Sequence, residues 1–210
     1  MQRSAVTGSV RARAVLGAAL VSTVLCAVPA GAAPAPGDAG GAAARGAAVA
    51  AHERACPIVY FDLGETLVHT AEDGGTGYRT GAAAYVRALR ERRIKVGLIT
   101  NVPSSWGATD AERAARLKQE VDAAWQGPVP FAWQDFGDRV LTPRTEAERK
   151  PAPALWQRAK AGSGRCRVVY QAETAEEVNV AASLGFVPYR IGLPHRPAYL
   201  PVGWVDLLGR

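Results

Sequence analysis

Val59-Tyr60-Phe61-Asp62-Leu63-Gly64-Glu65-Thr66-Leu67 is the stretch that decides the fold. An unbroken apolar run, Ile58 to Phe61, delivers the carboxylate of Asp62 into a turn containing Gly64, followed by Thr66. A run that is apolar on both faces reads as a central strand of a parallel sheet. In such sheets ligands sit beyond the carboxyl ends of the strands, which is where Asp62 falls. Asp62 is therefore a candidate nucleophile before any other residue is consulted.

Outward from this strand, apolar runs alternate with helical periodicity, the pattern of an α/β fold with a doubly wound parallel sheet. A helix is predicted over 81–92, with Tyr85, Val86 and Leu89 on one face, and a second strand over 94–100 ends in Thr100-Asn101. Thr109-Asp110-Ala111-Glu112 has capping-box spacing and opens a helix whose stripe is Ala114, Leu117, Val121 and Trp125. Residues 129–133 and 139–141 read as a strand pair or a sheet edge. A helix is predicted to start at Pro151, since proline suits the first helical position. A central strand follows over 167–171, then a helix capped by Thr174 and running to Gly185, and a strand over 186–191. The proline-rich tail is expected to pack across the domain through Tyr199, Val202, Trp204 and Leu207.

The front of the chain has a different character. Arg3, Arg11 and Arg13 precede an uncharged apolar stretch, 14–28, and then Pro29-Ala30-Gly31-Ala32-Ala33. That order is a secretory signal over 1–32, with cleavage near Ala32. Fifteen residues are short for a bilayer, which needs about 20, so no stable membrane anchor is expected. Cys26 lacks the small residue before it that a lipid anchor requires. Residues 33–55 are almost entirely Ala, Gly and Pro and form a flexible tether. Residues 56–210 suffice for one domain with one buried core. The expected location is outside the membrane: secreted, periplasmic or at the cell surface.

Signal removal takes the formal charge from +6 to +3, and arginine outnumbers lysine 21 to 4. No basic run alternates with aromatics, so no nucleic-acid partner is expected. Cys56 and Cys166 survive processing; an even count in an exported chain favours a disulfide, and neither has Cys/His ligand spacing. His52, His69 and His195 also lack partners at ligand spacing.

Four features fall in order: Asp62 after the first strand, Thr100 after the second, Lys150 before a helix, and Glu173 with Glu177 after a later strand. This arrangement resembles the haloacid dehalogenase-like (HAD) hydrolase superfamily, mostly magnesium-dependent phosphatases, over nearly all of the mature domain. The resemblance implies a three-layer Rossmann-like core. Asp62 would take the phosphoryl group as an aspartyl-phosphate. Thr100 and Asn101 would contact the substrate, and Lys150 would neutralise phosphate charge and hold Asp62. Asp62, the Gly64 carbonyl, Glu173 and Glu177 would position Mg2+, a hard cation that takes oxygen ligands. The substrate would be a small phosphorylated molecule or a phosphorylated macromolecule.

The sequence departs from the family pattern at Gly64, where phosphatases carry a second aspartate as general acid and base. Losing such a group costs about 10²- to 10⁴-fold. The acidic pair is Glu173 and Glu177 rather than two aspartates. Both departures keep open a non-catalytic protein that binds a phosphorylated or anionic ligand, and an alkyl-enzyme ester chemistry that needs no magnesium. Glu177 also completes a capping box with Thr174, a purely structural role. Only 38 residues separate Asp62 from Thr100 and 50 separate Thr100 from Lys150, so no large cap domain is expected. In this family the strands bearing Asp62 and the acidic pair are neighbours, which would bring Cys56 and Cys166 together at the far end of the sheet. A ring that long is worth about 4 to 5 kcal/mol by loop entropy.

Overall fold

The computed structural model describes residues 56–209. The signal and tether readings, 1–32 and 33–55, lie outside them. In chain order the elements are β1 (Pro57–Phe61), β2 (Val68–Thr70), β3 (Thr76–Tyr78), α1 (Ala82–Glu91), β4 (Lys95–Ile99), α2 (Asp110–Ala124), β5 (Val140–Leu141), α3 (Ala154–Gly162), β6 (Arg167–Ala172), α4 (Ala175–Ser183), β7 (Val187–Arg190) and α5 (Val202–Leu207).

The main sheet has the order β5-β4-β1-β6-β7 with every pairing parallel. This is the expected doubly wound architecture. β1 is central, and Ile58, Val59, Tyr60 and Phe61 are all buried because alternate side chains feed two cores. Val59 and Phe61 meet Val86, Leu89 and Leu117 from α1 and α2, while Ile58 and Tyr60 meet Leu155, Trp156, Val178 and Ala181 from α3 and α4. Gly97 stands opposite Tyr60 in register, and a Cβ there would lie 2.4 Å from the Tyr60 ring. The missing side chain on β4 makes room for the large one on β1.

Cys56 and Cys166 form a disulfide with Cα atoms 4.6 Å apart, at the amino ends of paired β1 and β6. The registered pair Pro57 and Arg167 brings them side by side. Among the described residues no helix is long and apolar enough to cross a membrane.

Three local expectations are corrected and one element is added. Residues 129–133 form no strand: Pro128 and Pro130 lack the N–H groups a ladder needs, and the segment instead buries Phe131 against Tyr78, Trp125, Trp133 and Phe136. Only β5 pairs there, parallel to β4. The helix after Lys150 starts at Ala154 rather than Pro151, because Lys150 is held by Asn101 and a turn closes from Ala152 to Arg149. The tail docks through Tyr199, Leu200 and Val205, whereas Trp204 and Leu207 are 67% and 60% exposed, since the short α5 turns only one side inward. The antiparallel hairpin β2–β3, which follows the Asp62 turn, was not anticipated. No cap domain interrupts the described chain.

Candidate active site

Parallel pairing puts the carboxyl ends of β1, β4 and β6 at one rim, and with them Asp62, Thr100 and Glu173. The amide of Asp62 donates to the Gln171 carbonyl at 3.0 Å, so β1 is still paired with β6 where the carboxylate emerges. Lys150 arrives from the loop after β5. Its ammonium donates to Asp62 Oδ1 at 2.5 Å, to Glu177 Oε2 at 2.8 Å and to Tyr170 Oη at 3.5 Å. Tyr170 in turn donates to Glu177 Oε2 at 2.6 Å. The side chains of Lys150, Asp62 and Glu177 are 3%, 12% and 15% exposed, so water does little to weaken these bonds.

Asn101 explains how the lysine is aimed. Its Oδ1 accepts from the Lys150 amide at 2.8 Å and its Nδ2 donates to the Lys150 carbonyl at 3.1 Å. Asn101 was expected at the substrate; here both polar atoms of its side chain clamp the Lys150 backbone. Thr100 is buried at the end of β4, and its amide donates to the Leu141 carbonyl at 3.1 Å.

A second group steadies Asp62 from the turn. Thr66, fully buried, donates from Oγ1 to Asp62 Oδ2 at 3.3 Å, and its carbonyl accepts from Tyr199 Oη at 2.7 Å. The tail that supplies Tyr199 is itself locked by a closed polar ring. Leu200 N donates to Gln171 Oε1 at 2.9 Å, Gln171 Nε2 to Tyr85 Oη at 2.9 Å, and Tyr85 Oη to the Leu200 carbonyl at 2.5 Å. The tail thus ties to Asp62 through Thr66 and through the strand that carries Gln171.

Burial pushes the Asp62 carboxyl above its ordinary range; Lys150 opposes this and Glu177 adds to it. Burial, then the charges of Glu177 and Asp62, raises the Tyr170 phenol well above its usual value, so it is a fixed donor. Glu173 is raised by desolvation and by the charges of Asp62 and Glu65, against the pull of Arg79. Glu173 therefore lies within electrostatic reach of Asp62 without a direct bond to it.

Two residues beside Asp62 differ sharply. Gly64 is exposed, and a Cβ added there meets nothing within 4 Å. Glu65 sits in the left-handed region at φ 51°, with its carboxylate taken by His69 Nδ1 at 2.8 Å and the Thr70 amide at 3.1 Å. Those bonds, His69 first, hold its carboxyl low, so it is no proton donor near neutral pH. Thr174 makes no side-chain cap at α4; the Thr174–Glu177 box is not formed, because Glu177 is engaged by Lys150 and Tyr170.

The site can thus offer a buried, lysine-braced carboxylate for attack on phosphorus, at the carboxyl-terminal rim of the sheet. For a divalent cation, the donors present are the hard oxygens that magnesium prefers. Among the described residues no three His, Cys, Asp or Glu side chains converge to hold a metal ion. One or two carboxylates with waters and substrate phosphate are sufficient for magnesium, and Asp62 with Glu173, which feels its charge, are carboxylates that could supply them. Sequence reasoning missed Tyr170, Thr66 and Tyr199. Tyr170 read only as a buried strand residue, and nothing local to Tyr199 signals a bond across 133 residues.

No protein-family model matches the sequence, and no curated protein matches it. A solved structure from Mesorhizobium loti, provisionally assigned as a HAD-like phosphatase, is similar at 14% identity with a TM-score of 0.48. The similarity covers 74% of this chain and 88% of that one. No residue role is carried across at this level of likeness, and the side chains of this chain bear the functional argument.

Proposed function

We propose that this chain is an exported HAD-like hydrolase that transfers phosphoryl groups to Asp62 with magnesium as cofactor. The observation that carries the reading is the Lys150 ammonium 2.5 Å from Asp62 Oδ1, both buried at the carboxyl end of the central strand. The order of motifs around it supports the family.

The Asp62 carboxylate attacks phosphorus while the bond from phosphorus to the leaving oxygen breaks, and that oxygen keeps the electron pair. A magnesium ion bound at Asp62 and Glu173, with the Gly64 carbonyl, would offset charge on the phosphoryl oxygens. Lys150 would offset it as well and favours the ionised form of Asp62 against its burial. Thr100, at the neighbouring strand end, is the hydroxyl available to a phosphoryl oxygen.

With Gly64 in place of the usual acid, no side chain there protonates the leaving group. Aryl and acyl phosphates, whose leaving groups depart as anions, are the favoured substrates. Hydrolysis of the aspartyl-phosphate also lacks a base at position 64, so this intermediate accumulates. An open rim accepts either a small phosphorylated molecule or a phosphorylated macromolecule. The disulfide supports export, because such bonds persist in oxidising compartments.

The test is a panel of aryl, acyl and alkyl phosphates with and without magnesium, run beside Asp62→Asn. Metal-dependent turnover that depends steeply on leaving-group pKa and vanishes in Asp62→Asn is expected. Gly64, which puts no acid or base beside Asp62, and the glutamate pair in place of aspartates favour a second reading, an anion-binding protein without turnover. Phosphate binding with no turnover on any ester would select that reading.

A further inference from the structure

Asn101 follows Thr100 at the end of β4, and both polar atoms of its side chain are spent on a residue 49 positions away. Oδ1 accepts from the Lys150 amide at 2.8 Å and Nδ2 donates to the Lys150 carbonyl at 3.1 Å. A side-chain amide carries an acceptor and a donor at fixed spacing, so it can pair with both backbone groups of one residue, as a neighbouring strand would. One bond would let Lys150 pivot; two fix the direction in which its side chain leaves the backbone. The holder is itself held: Thr100 and Val102, on either side, are buried, and the Thr100 amide is bonded to the Leu141 carbonyl.

Further from Asp62 the same two loops are joined twice more. Ser104 donates from N and Oγ to Glu146 Oε1 at 3.2 and 2.9 Å, and Arg144 reaches Asp110 at 2.7 Å. Glu146 and Arg144 are exposed, so water weakens these outer ties. The Asn101 pair is partly buried and grips the residue whose ammonium meets Asp62. A lysine stem is a flexible four-carbon chain, so its ammonium is aimed only when the backbone end is fixed.

We propose that Asn101 is a positioning residue that acts on phosphoryl transfer through Lys150 alone, and not by touching the substrate. This rests on the phosphoryl-transfer reading above. Asn101 ties the strand end that carries Thr100 to the loop that carries Lys150, so the hydroxyl and the ammonium keep a fixed relation beside Asp62.

A double-mutant cycle on 2,4-dinitrophenyl phosphate, reactive enough to follow slow variants, tests the route of action. Asn101→Ala should lower kcat/KM by about tenfold, and by less than about twofold when Lys150→Met is already present. Ser104→Ala, which cuts an outer tie, should stay within about twofold of the wild type. An Asn101→Ala loss of the same size in both backgrounds would make Asn101 a substrate contact and overturn the proposal.

Acetic anhydride labelling of the full chain, located by mass spectrometry, reads the placement of Lys150 without turnover. Buried Lys150 should label at least about tenfold more slowly than exposed Lys118 in the wild type. Asn101→Ala should speed Lys150 labelling by about fivefold or more, and Ser104→Ala should leave it unchanged. If Asn101→Ala does not fold, Asn101→Asp, which keeps the acceptor for the Lys150 amide and loses the donor to its carbonyl, should show the same ordering at smaller size. Lys150 equally protected with and without the Asn101 side chain overturns the proposal, as does a labelling rate that only tracks Tm across the variants. An inactive wild type in which Asn101→Ala still unmasks Lys150 would sink the phosphoryl-transfer reading and leave the aiming of the lysine standing.

Discussion

Asp62 and Asp110 are both carboxylates gripped by cations, and they end in opposite states. Asp110 opens α2 with three guanidinium groups on one carboxylate: Arg113, Arg144 at 2.7 Å and Arg158 at 2.9 Å. Its side chain is 35% exposed, and the Arg144 hydrogen bond leads in pulling its carboxyl down to about 2. Asp62 has one ammonium shared with a second carboxylate, in a buried position, and its carboxyl is pushed up. An excess of cations at a half-open surface makes a permanently ionised strut. A shortage of cations in a buried pocket leaves a carboxylate whose charge is costly and therefore available for chemistry.

The two regions are mechanically joined. Arg113 donates to Thr142 Oγ1 and Arg158 to the Thr142 carbonyl at 2.8 Å, while Arg144 lies on the same loop. The same loop carries Lys150. The Asp110 cluster is scaffold for the segment that delivers the ammonium to Asp62.

The largest separation between the two carboxylates should appear on substitution. Asp62→Asn is expected to lose about 10⁴-fold or more in kcat/KM on an aryl phosphate, while Asp110→Asn keeps turnover within about threefold. Comparable activity losses at the two positions would erase the distinction. Next comes Gly64→Asp, for which the structure leaves open space at a backbone that is not left-handed. Restoring an acid there should speed alkyl phosphates by about 10²- to 10⁴-fold and aryl phosphates far less. An equal gain on both classes would mean that Gly64 affects something other than proton transfer.

Tyr199→Phe keeps the stacked contact with Tyr85 but removes the bond to Thr66. The expected result is about a tenfold loss in kcat with KM near its starting value. Tyr85→Phe disturbs the tail ring without touching Thr66 and serves as the control. If both variants fall alike, in step with Tm, the tail only stabilises the fold.

The pH responses have opposite signs. A raised Asp62 must lose its proton before it can attack, so the acid limb of kcat/KM should lie above an ordinary aspartate; a limb at or below that range contradicts the burial argument. Asp110 is depressed to about 2 in the folded state from 3.8. Its stabilisation is present above 3.8 and fades as pH falls through about 2. After discounting for exposure this is about 1 kcal/mol, so Asp110→Asn should lower stability by that amount near neutral pH and by less near pH 2. Circular dichroism across acid titration measures it.

Much of this was legible in the sequence where burial is two-sided. The runs that became β1, β4 and β6 are continuous because both faces of a parallel sheet are covered, and those strands place Asp62, Thr100 and Glu173 at one rim. Thr109 and Glu112 form the predicted capping box, which is wholly local chemistry. What could not be read depended on distant partners. Glu177 satisfies the same local signature as Glu112, but Lys150, 27 residues away, and Tyr170 outcompete Thr174 for it. The three-residue strands β2 and β3 carry His69, Thr70 and Thr76 and give no apolar run. Arg113, buried on α2, belongs to no apolar stripe because its place is set by Gly107, Asp110 and Thr142.

Acid-quenched mass spectrometry of the full chain after incubation with acetyl phosphate and magnesium puts the role of Asp62 to the question. One phosphoryl group should be found on the peptide carrying Asp62, persisting long enough to trap and absent from Asp62→Asn. Turnover of acetyl phosphate with Asp62 unmodified at every time point, or turnover that survives in Asp62→Asn, would contradict the account.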